Sequence, residues 1–265
     1  MKDTHIHGKI ICIANNKGGI GKTSTAVNLT VGLQKLGYKT CLLDCDSQCN
    51  SSDNMRARME DTYTLYDLLF GENVELEQCI QETEIGTIVP SDRLLREAET
   101  KFPNDNSRGF LLREKAEKLK DMYDFTIIDT APALNILLIN ALNLADEIIV
   151  PITADRFSLQ GLDVLAQAIT ATKKYTNPNI EIMGIVLTRY NERLKLSKEV
   201  SAGLPQVAEI LGTQIFNTKI RESVAVRQSQ SARKSLFDYD EMNNSTVDYL
   251  DLCSEVVKIE KEKGR

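Results

Sequence analysis

A glycine-rich stretch near the N-terminus has the composition and spacing of a loop that binds phosphate. It consists of Lys17, Gly18, Gly19, Ile20, Gly21, Lys22, Thr23 and Ser24. Glycines let backbone N–H groups approach phosphate oxygens without a Cβ in the way. A helix that starts here adds its partial positive charge. Lys22 can reach the β- and γ-phosphates of a nucleotide, and the Thr23 hydroxyl can bind Mg²⁺.

One position of this stretch departs from the usual pattern G-x-x-x-x-G-K-[ST]. Asn16 stands where the first glycine is expected, and the additional Lys17 follows it. A tight strand-to-helix turn with surface lysines is the simpler alternative, but six specified residues rarely coincide by chance. A dinucleotide-binding loop fits less well, because G-x-G-x-x-G is absent here.

Three aspartates follow apolar runs at positions suited to phosphate chemistry. In "LLDCDSQCNSS", the two-residue period of a strand puts Asp44 and Asp46 on one face near its end. In "FTIIDTAP", Asp129 ends an apolar strand and fits an acid that holds Mg²⁺ directly or through water. Asp44 and Asp46 could meet the metal or orient a water, or they could simply cap turns.

The elements that must position these groups are short apolar runs separated by helical segments. Near-continuous apolar strands are typical of a parallel sheet that is covered by helices on both faces. We therefore predict a single α/β domain over residues 1–265, with a doubly wound, mostly parallel sheet. The runs are "KIICIANN", "KTCLLDCD", "GTIVPS", "FTIIDTAP", "DEIIVPIT", "EIMGIVLTRY" and "TQIFNTKI".

The first two strands enclose a segment with the period of a helix. Ala26, Leu29, Leu33 and Leu36 fall on one face, and Gly37 suits the end of the helix. The loop then lies at the first turn of a βαβ unit, where open α/β sheets bind their ligands. A last helix is predicted within "NNSTVDYLDLCSEVVKIEKEKGR".

Together these motifs resemble those of the ParA/MinD family of deviant Walker A ATPases, most closely the ParA/Soj-type partitioning ATPases. The family loop reads K-G-G-x-G-K-[ST] and does not require glycine at the position of Asn16. Its second motif reads D-x-D-P-Q-G-N, from which Ser47 and Cys49 depart here while Gln48 and Asn50 agree. The stretch "GIVLTRYNERLKLSKEV" is also similar to the family's sequences.

The resemblance implies a P-loop fold, ATP and Mg²⁺ as cofactors, and a homodimer that forms around ATP. It implies that Lys17 reaches phosphates bound by the partner subunit and that Asp46 is catalytic together with Lys17 and Lys22. Thr23, Asp46 and Asp129 are the expected magnesium ligands. Hydrolysis is expected to be slow and stimulated by a ParB-like centromere-binding protein.

Net charge limits how such a protein could bind DNA. The formal charge is −6, so contacts must come from a local basic patch. Late basic residues supply the candidates, and non-specific, salt-dependent binding is expected from them. A solvated charged face is the alternative. The candidates are Arg189, Arg221, Arg227, Arg233 and Lys234.

These features predict a cytoplasmic, nucleoid-associated ATPase that partitions a plasmid, mobile element or chromosome. One alternative is a MinD-like ATPase on a membrane surface, although "VVKIEKEKGR" lacks bulky apolar anchors. Another is a regulatory or assembly ATPase that acts through a protein partner without DNA. The six cysteines are expected to be free thiols, because disulfides form mainly in oxidising compartments. The spacing of Cys41, Cys45 and Cys49 does not suit a zinc site.

Overall fold

The computed structural model describes residues 6–154 and 162–264 of the chain. These residues contain an eight-stranded sheet. Its strands are β1 (Lys9–Ile13), β2 (Thr40–Cys45), β3 (Gln81–Glu82), β4 (Thr87–Val89), β5 (Phe125–Thr130), β6 (Glu147–Thr153), β7 (Glu181–Tyr190) and β8 (Ile215–Arg221).

The strands lie in the order β3-β4-β2-β5-β1-β6-β7-β8. All neighbouring pairs are parallel except β3 with β4. Each of the seven apolar runs contains a strand, which confirms the predicted mostly parallel sheet. Strand β3 was not predicted, because two residues at the sheet edge leave no apolar run.

Thirteen α-helices lie within the described ranges, and the last three of them follow β8. They are α1 (Lys22–Lys35), α2 (Asn50–Asn54), α3 (Leu65–Phe70), α4 (Leu76–Cys79), α5 (Ala98–Lys101), α6 (Leu111–Ala116), α7 (Leu119–Met122), α8 (Ile136–Leu144), α9 (Leu162–Tyr175), α10 (Lys195–Leu211), α11 (Val224–Ser231), α12 (Leu236–Tyr239) and α13 (Asn244–Lys263). Two short 3₁₀ helices span Arg93–Glu97 and Asn106–Gly109.

Helices cover both faces of the sheet, as predicted. In β1, Ile10 and Cys12 belong to an apolar core shared with α3, α6, α8, α9 and α10. The alternate residues Ile11 and Ile13 belong to a second core, shared with α1, α12 and α13. Burial on both faces therefore explains why the strands lack an alternating polar pattern.

The first βαβ unit has the predicted form, with one difference at the end of its helix. Leu29 and Leu33 are fully buried, whereas Leu36 lies just beyond the helix and is 40% exposed. Gly37 follows with a φ of 93°, a left-handed conformation that ends helices and favours glycine. Leu36 therefore does not continue the helical face of Leu29 and Leu33, because α1 stops one residue earlier.

The last helix, α13, packs its apolar side into the second core. Leu252, Cys253 and Val256 of this helix are fully buried there. The predicted terminal helix is thus confirmed. No helix within residues 6–154 and 162–264 is long and apolar enough to cross a membrane.

Candidate nucleotide-binding site

The phosphate loop follows β1 and leads into α1, which begins at Lys22. Gly19 and Gly21 have φ of 73° and 88°, so the backbone at both positions favours glycine. Asn16, one of the described residues, does not have a positive φ. The missing first glycine therefore causes no strain in this loop.

Lys22 lies inside the loop with 6% of its surface exposed. Its Nζ donates a hydrogen bond to the Lys17 carbonyl oxygen at 2.7 Å. Burial lowers the pKa of Lys22, while the negative charges of Asp129 and Asp46 oppose that shift. The ammonium group is thus placed among the same carboxylates that the sequence predicted for metal binding.

Asp129 is fully buried near the carboxyl end of β5. Its Oδ2 accepts a hydrogen bond from Ser51 Oγ at 2.6 Å, while Oδ1 accepts none from residues 6–154 or 162–264. Burial raises the pKa of Asp129, while the hydrogen bond from Ser51 and the nearby Thr23 hydroxyl oppose the increase. A buried carboxylate oxygen that lacks a partner, close to a threonine hydroxyl, fits a magnesium ion or a magnesium-bound water.

Asp44 and Asp46 have different surroundings, although the sequence placed them on one face. Asp44 lies opposite Asp129 in the register of β2 and β5. It accepts hydrogen bonds from the backbone N–H of Asp46, at 3.1 Å, and from Ser52. Burial, followed by the charge of Asp129, raises the pKa of Asp44. Asp44 therefore supports the loop, while Asp46 lines the cavity described below.

The loop after Asp46 carries two changes from the family pattern, at Ser47 and Cys49. The Oδ1 atom of Asp46 accepts a hydrogen bond from the Gln48 N–H at 2.9 Å. Cys49 stands at the family's glycine position and has the left-handed φ of 55° that glycine adopts easily. A cysteine thus adopts a backbone conformation that favours glycine at this position.

Sequence reasoning missed two buried hydroxyls in this site, Ser51 and Ser52 of α2. Both side chains are fully buried, and they donate to Asp129 and Asp44 respectively. Serine is common after turns, so residue type alone gave no signal. Only the register of β2 and β5 brings the two carboxylates within reach of one short helix.

A cavity of about 660 Å³ lies next to these groups. Its walls include Gly18, Lys22 and Thr23 of the phosphate loop. The remaining walls come partly from β8, α11 and α13, including Ile220 and Tyr249. This volume is within the range of pockets that bind small molecules.

Three of the five basic residues predicted to contact DNA also line this cavity: Arg189, Arg221 and Arg227. Arg221 forms an ion pair with the mostly buried Asp248 at 2.6 Å, which raises its pKa. Arg189 pairs with Glu222 at 3.2 Å.

The other two basic residues lie at the end of α11. Arg233 pairs with Asp53 of α2 at 3.2 Å, while Lys234 is exposed. Arg227 and Lys234 have no ion pair with any described residue. DNA contact by these five residues stays a prediction, and their surroundings differ widely.

All six cysteines are free and buried. Within the part of the chain that the structure describes, no group of three or more His, Cys, Asp or Glu could hold a metal ion. A magnesium ion at Thr23 and Asp129 would therefore need further ligands from nucleotide phosphates and water, as magnesium usually has.

Comparison with known proteins gives the family of this chain. A family model described as an AAA domain matches residues 8–182. The chain is 33% identical over 259 residues to the chromosome partitioning protein ParA of Caulobacter vibrioides, covering 96% of each chain. It is 31% identical over 252 residues to the sporulation initiation inhibitor protein Soj of Bacillus subtilis, covering 94% of this chain and 98% of Soj.

The fold is shared with solved structures at lower identity. Cobyrinic acid a,c-diamide synthase from Mycobacterium smegmatis, with bound ADP and magnesium, has a TM-score of 0.81. It is 23% identical, and the alignment covers 94% of each chain. From its near full-length similarity to ParA and Soj, the chain belongs to the ParA/MinD family of P-loop ATPases.

Proposed function

We propose that this protein is an ATPase that dimerises around Mg·ATP, binds DNA non-specifically and partitions a plasmid, mobile element or chromosome. The observation that carries the proposal is the grouping of Lys22, Thr23 and Asp46 at the wall of one cavity, with the buried Asp129 close behind them. The partitioning role is supported by the names of the similar ParA proteins. A ParB-like partner would stimulate hydrolysis and so release the DNA.

The residues of the site would divide the work of phosphoryl transfer. Backbone N–H groups of Gly18, Gly19 and Gly21 and the ammonium group of Lys22 would hold the phosphates. Thr23 and Asp129 would hold magnesium, which supplies positive charge against the phosphate oxygens. Asp46, at the wall of the cavity, would orient the attacking water.

Lys17 would make hydrolysis depend on assembly. In the resembling family this residue reaches the phosphates of the partner subunit, so a complete site would require two protomers. DNA binding would then depend on bound ATP, because only the ATP-bound dimer would present two basic surfaces together. Contacts through phosphates alone would weaken steeply as salt is raised.

The experiment measures binding to DNA of unrelated sequence, with ATP, with ADP and without nucleotide. Wild-type protein should bind only with ATP and should lose affinity as salt increases. Lys22→Ala should abolish the ATP dependence. Lys234→Ala should weaken DNA binding while ATP binding is retained, because Lys234 is exposed and does not line the cavity. If wild type binds DNA equally well without ATP, the proposed switch is wrong.

A second arm tests the membrane alternative with the same protein. Vesicles that contain anionic lipid are sedimented with the protein and ATP. Binding to the vesicles without binding to DNA would replace the partitioning proposal with that of a membrane-surface ATPase. Binding to neither would favour an ATPase that acts through a protein partner.

A further inference from the structure

The short helix α2 connects the loop of Asp46 to both buried carboxylates of the site. It starts at Asn50, directly after the left-handed Cys49, and contains only five residues. Two of its side chains, Ser51 and Ser52, point their hydroxyls at different carboxylates. These two residues play no part in the chemistry proposed above.

Ser51 makes the shorter of the two contacts. Its Oγ donates to Asp129 Oδ2 at 2.6 Å, and both residues are fully buried. A hydrogen bond of this length to a carboxylate is strong, and burial protects it from competition by water. One oxygen of Asp129 is therefore occupied by protein, and Oδ1 is left without a hydrogen bond from the described residues.

Ser52 holds the helix in a position from which Ser51 can act. Both its backbone N–H and its Oγ donate to Asp44 Oδ2, at 2.9 and 2.7 Å. Its Oγ also accepts from the Ser91 N–H, and Ser91 Oγ donates to the Asp46 carbonyl oxygen. Contacts with Asp44 and with Ser91 thus fix the position of α2, and this position directs the Ser51 hydroxyl at Asp129.

We propose that Ser51 is a positioning residue for magnesium. By holding Oδ2, its hydroxyl fixes the orientation of the Asp129 carboxylate and leaves Oδ1 as the oxygen for the metal or a metal-bound water. This inference rests on the proposed binding of a magnesium nucleotide. Partners of this kind, which orient a ligand without touching the metal, typically change metal affinity by about 10- to 100-fold when removed.

The test follows binding of a fluorescent ADP analogue while Mg²⁺ is titrated, and again in EDTA. ADP avoids turnover, so the measurement does not depend on activity. Ser51→Ala should raise the half-saturating Mg²⁺ concentration by about 10-fold or more. Affinity for the analogue in EDTA should stay within about twofold of wild type, because Ser51 does not line the cavity.

Two further variants separate positioning from general loosening of α2. Ser51→Thr keeps the hydroxyl and should restore most of the Mg²⁺ response. Ser52→Ala removes an equally buried hydroxyl of the same helix but keeps the backbone N–H that donates to Asp44, so α2 stays anchored and the Mg²⁺ response should shift less than in Ser51→Ala. Urea unfolding of each variant shows that the protein compared is folded.

The outcomes distinguish this inference from the proposed function. If wild-type binding does not depend on Mg²⁺, the proposed function fails and this inference fails with it. If wild type depends on Mg²⁺ and Ser51→Ala behaves like wild type, only the role of Ser51 is refuted. Equal shifts in Ser51→Ala and Ser52→Ala would also refute it, because they would show a general effect of loosening α2.

Discussion

Replacing Glu147 by glutamine should remove a pH-dependent part of the free energy of unfolding. Glu147 begins β6 and is almost completely buried, as is Glu260 of α13. Lys263 contacts Glu147, and Lys9 Nζ lies 3.0 Å from Glu260 Oε2. Burial, then the hydrogen bond with Glu260, raises the pKa of Glu147 from 4.5 to about 7, against the effect of Lys263.

The sign of the effect follows from proton linkage. The folded protein binds the Glu147 proton more tightly than the unfolded chain does, so stability falls as pH rises from about 4.5 to 7. Each pKa unit corresponds to about 1.4 kcal/mol, so between pH 5 and pH 8 the loss is roughly 2–3 kcal/mol. Glutamine cannot ionise, and its amide can still donate to Glu260 and accept from Lys263.

The assay is urea unfolding of wild type and Glu147→Gln, without nucleotide, at several pH values. The difference between their unfolding free energies should grow by roughly 2–3 kcal/mol in favour of glutamine from pH 5 to pH 8. Glu181→Gln is the matched control, because Glu181 also pairs with Lys263 but is 56% exposed. A constant difference between wild type and Glu147→Gln would refute the reasoning, as would the same slope for the control.

Three further changes test the packing and the loop. Gly32→Ala should lower the free energy of unfolding in urea by about 1–3 kcal/mol, because a Cβ there would lie 2.5 Å from Cys253 Sγ. Gly203→Ala is the control, since a Cβ there meets open space and should not destabilise the protein. Cys49→Gly should be more stable than Cys49→Ala by about 1 kcal/mol, since Cys49 has a φ of 55°, which glycine adopts more easily than alanine. If the alanine variant were the more stable one, the left-handed backbone at this position would be contradicted. Lys17→Ala should still bind ATP but fail to hydrolyse it as a dimer, and normal turnover would refute the cross-dimer role.

Much of the fold could be predicted because the sheet is buried on both faces. Every residue of β2, β5 and β6 is buried, so each strand is nearly continuous in apolar residues and easy to recognise. Strand β3 carries no such signal, since Gln81 and Glu82 pair only at the edge. The two residues of β3 can be recognised as a strand only from their pairing with β4.

The parts of the candidate site that could be predicted are those whose functional residues lie close together in the sequence. The phosphate loop and the strand-end aspartates are of this kind, since a strand or a turn alone sets their spacing. Arg221 shows the opposite case, because its partner Asp248 lies 27 residues later on α13. The sequence indicated a basic residue for DNA, whereas the structure pairs it with a mostly buried carboxylate at the cavity wall.

The backbone contacts at position 17 explain how the loop can do without its first glycine. The Lys17 N–H donates to Asn15 Oδ1 at 3.1 Å, and Asn15 Nδ2 donates to the Pro151 carbonyl oxygen of β6. The Lys17 carbonyl oxygen accepts from Lys22 at 2.7 Å. Since main-chain atoms make these contacts, any residue except proline at position 17 could provide them. The start of the loop is therefore held through Asn15 and Lys22, by contacts that do not depend on a lysine side chain at position 17.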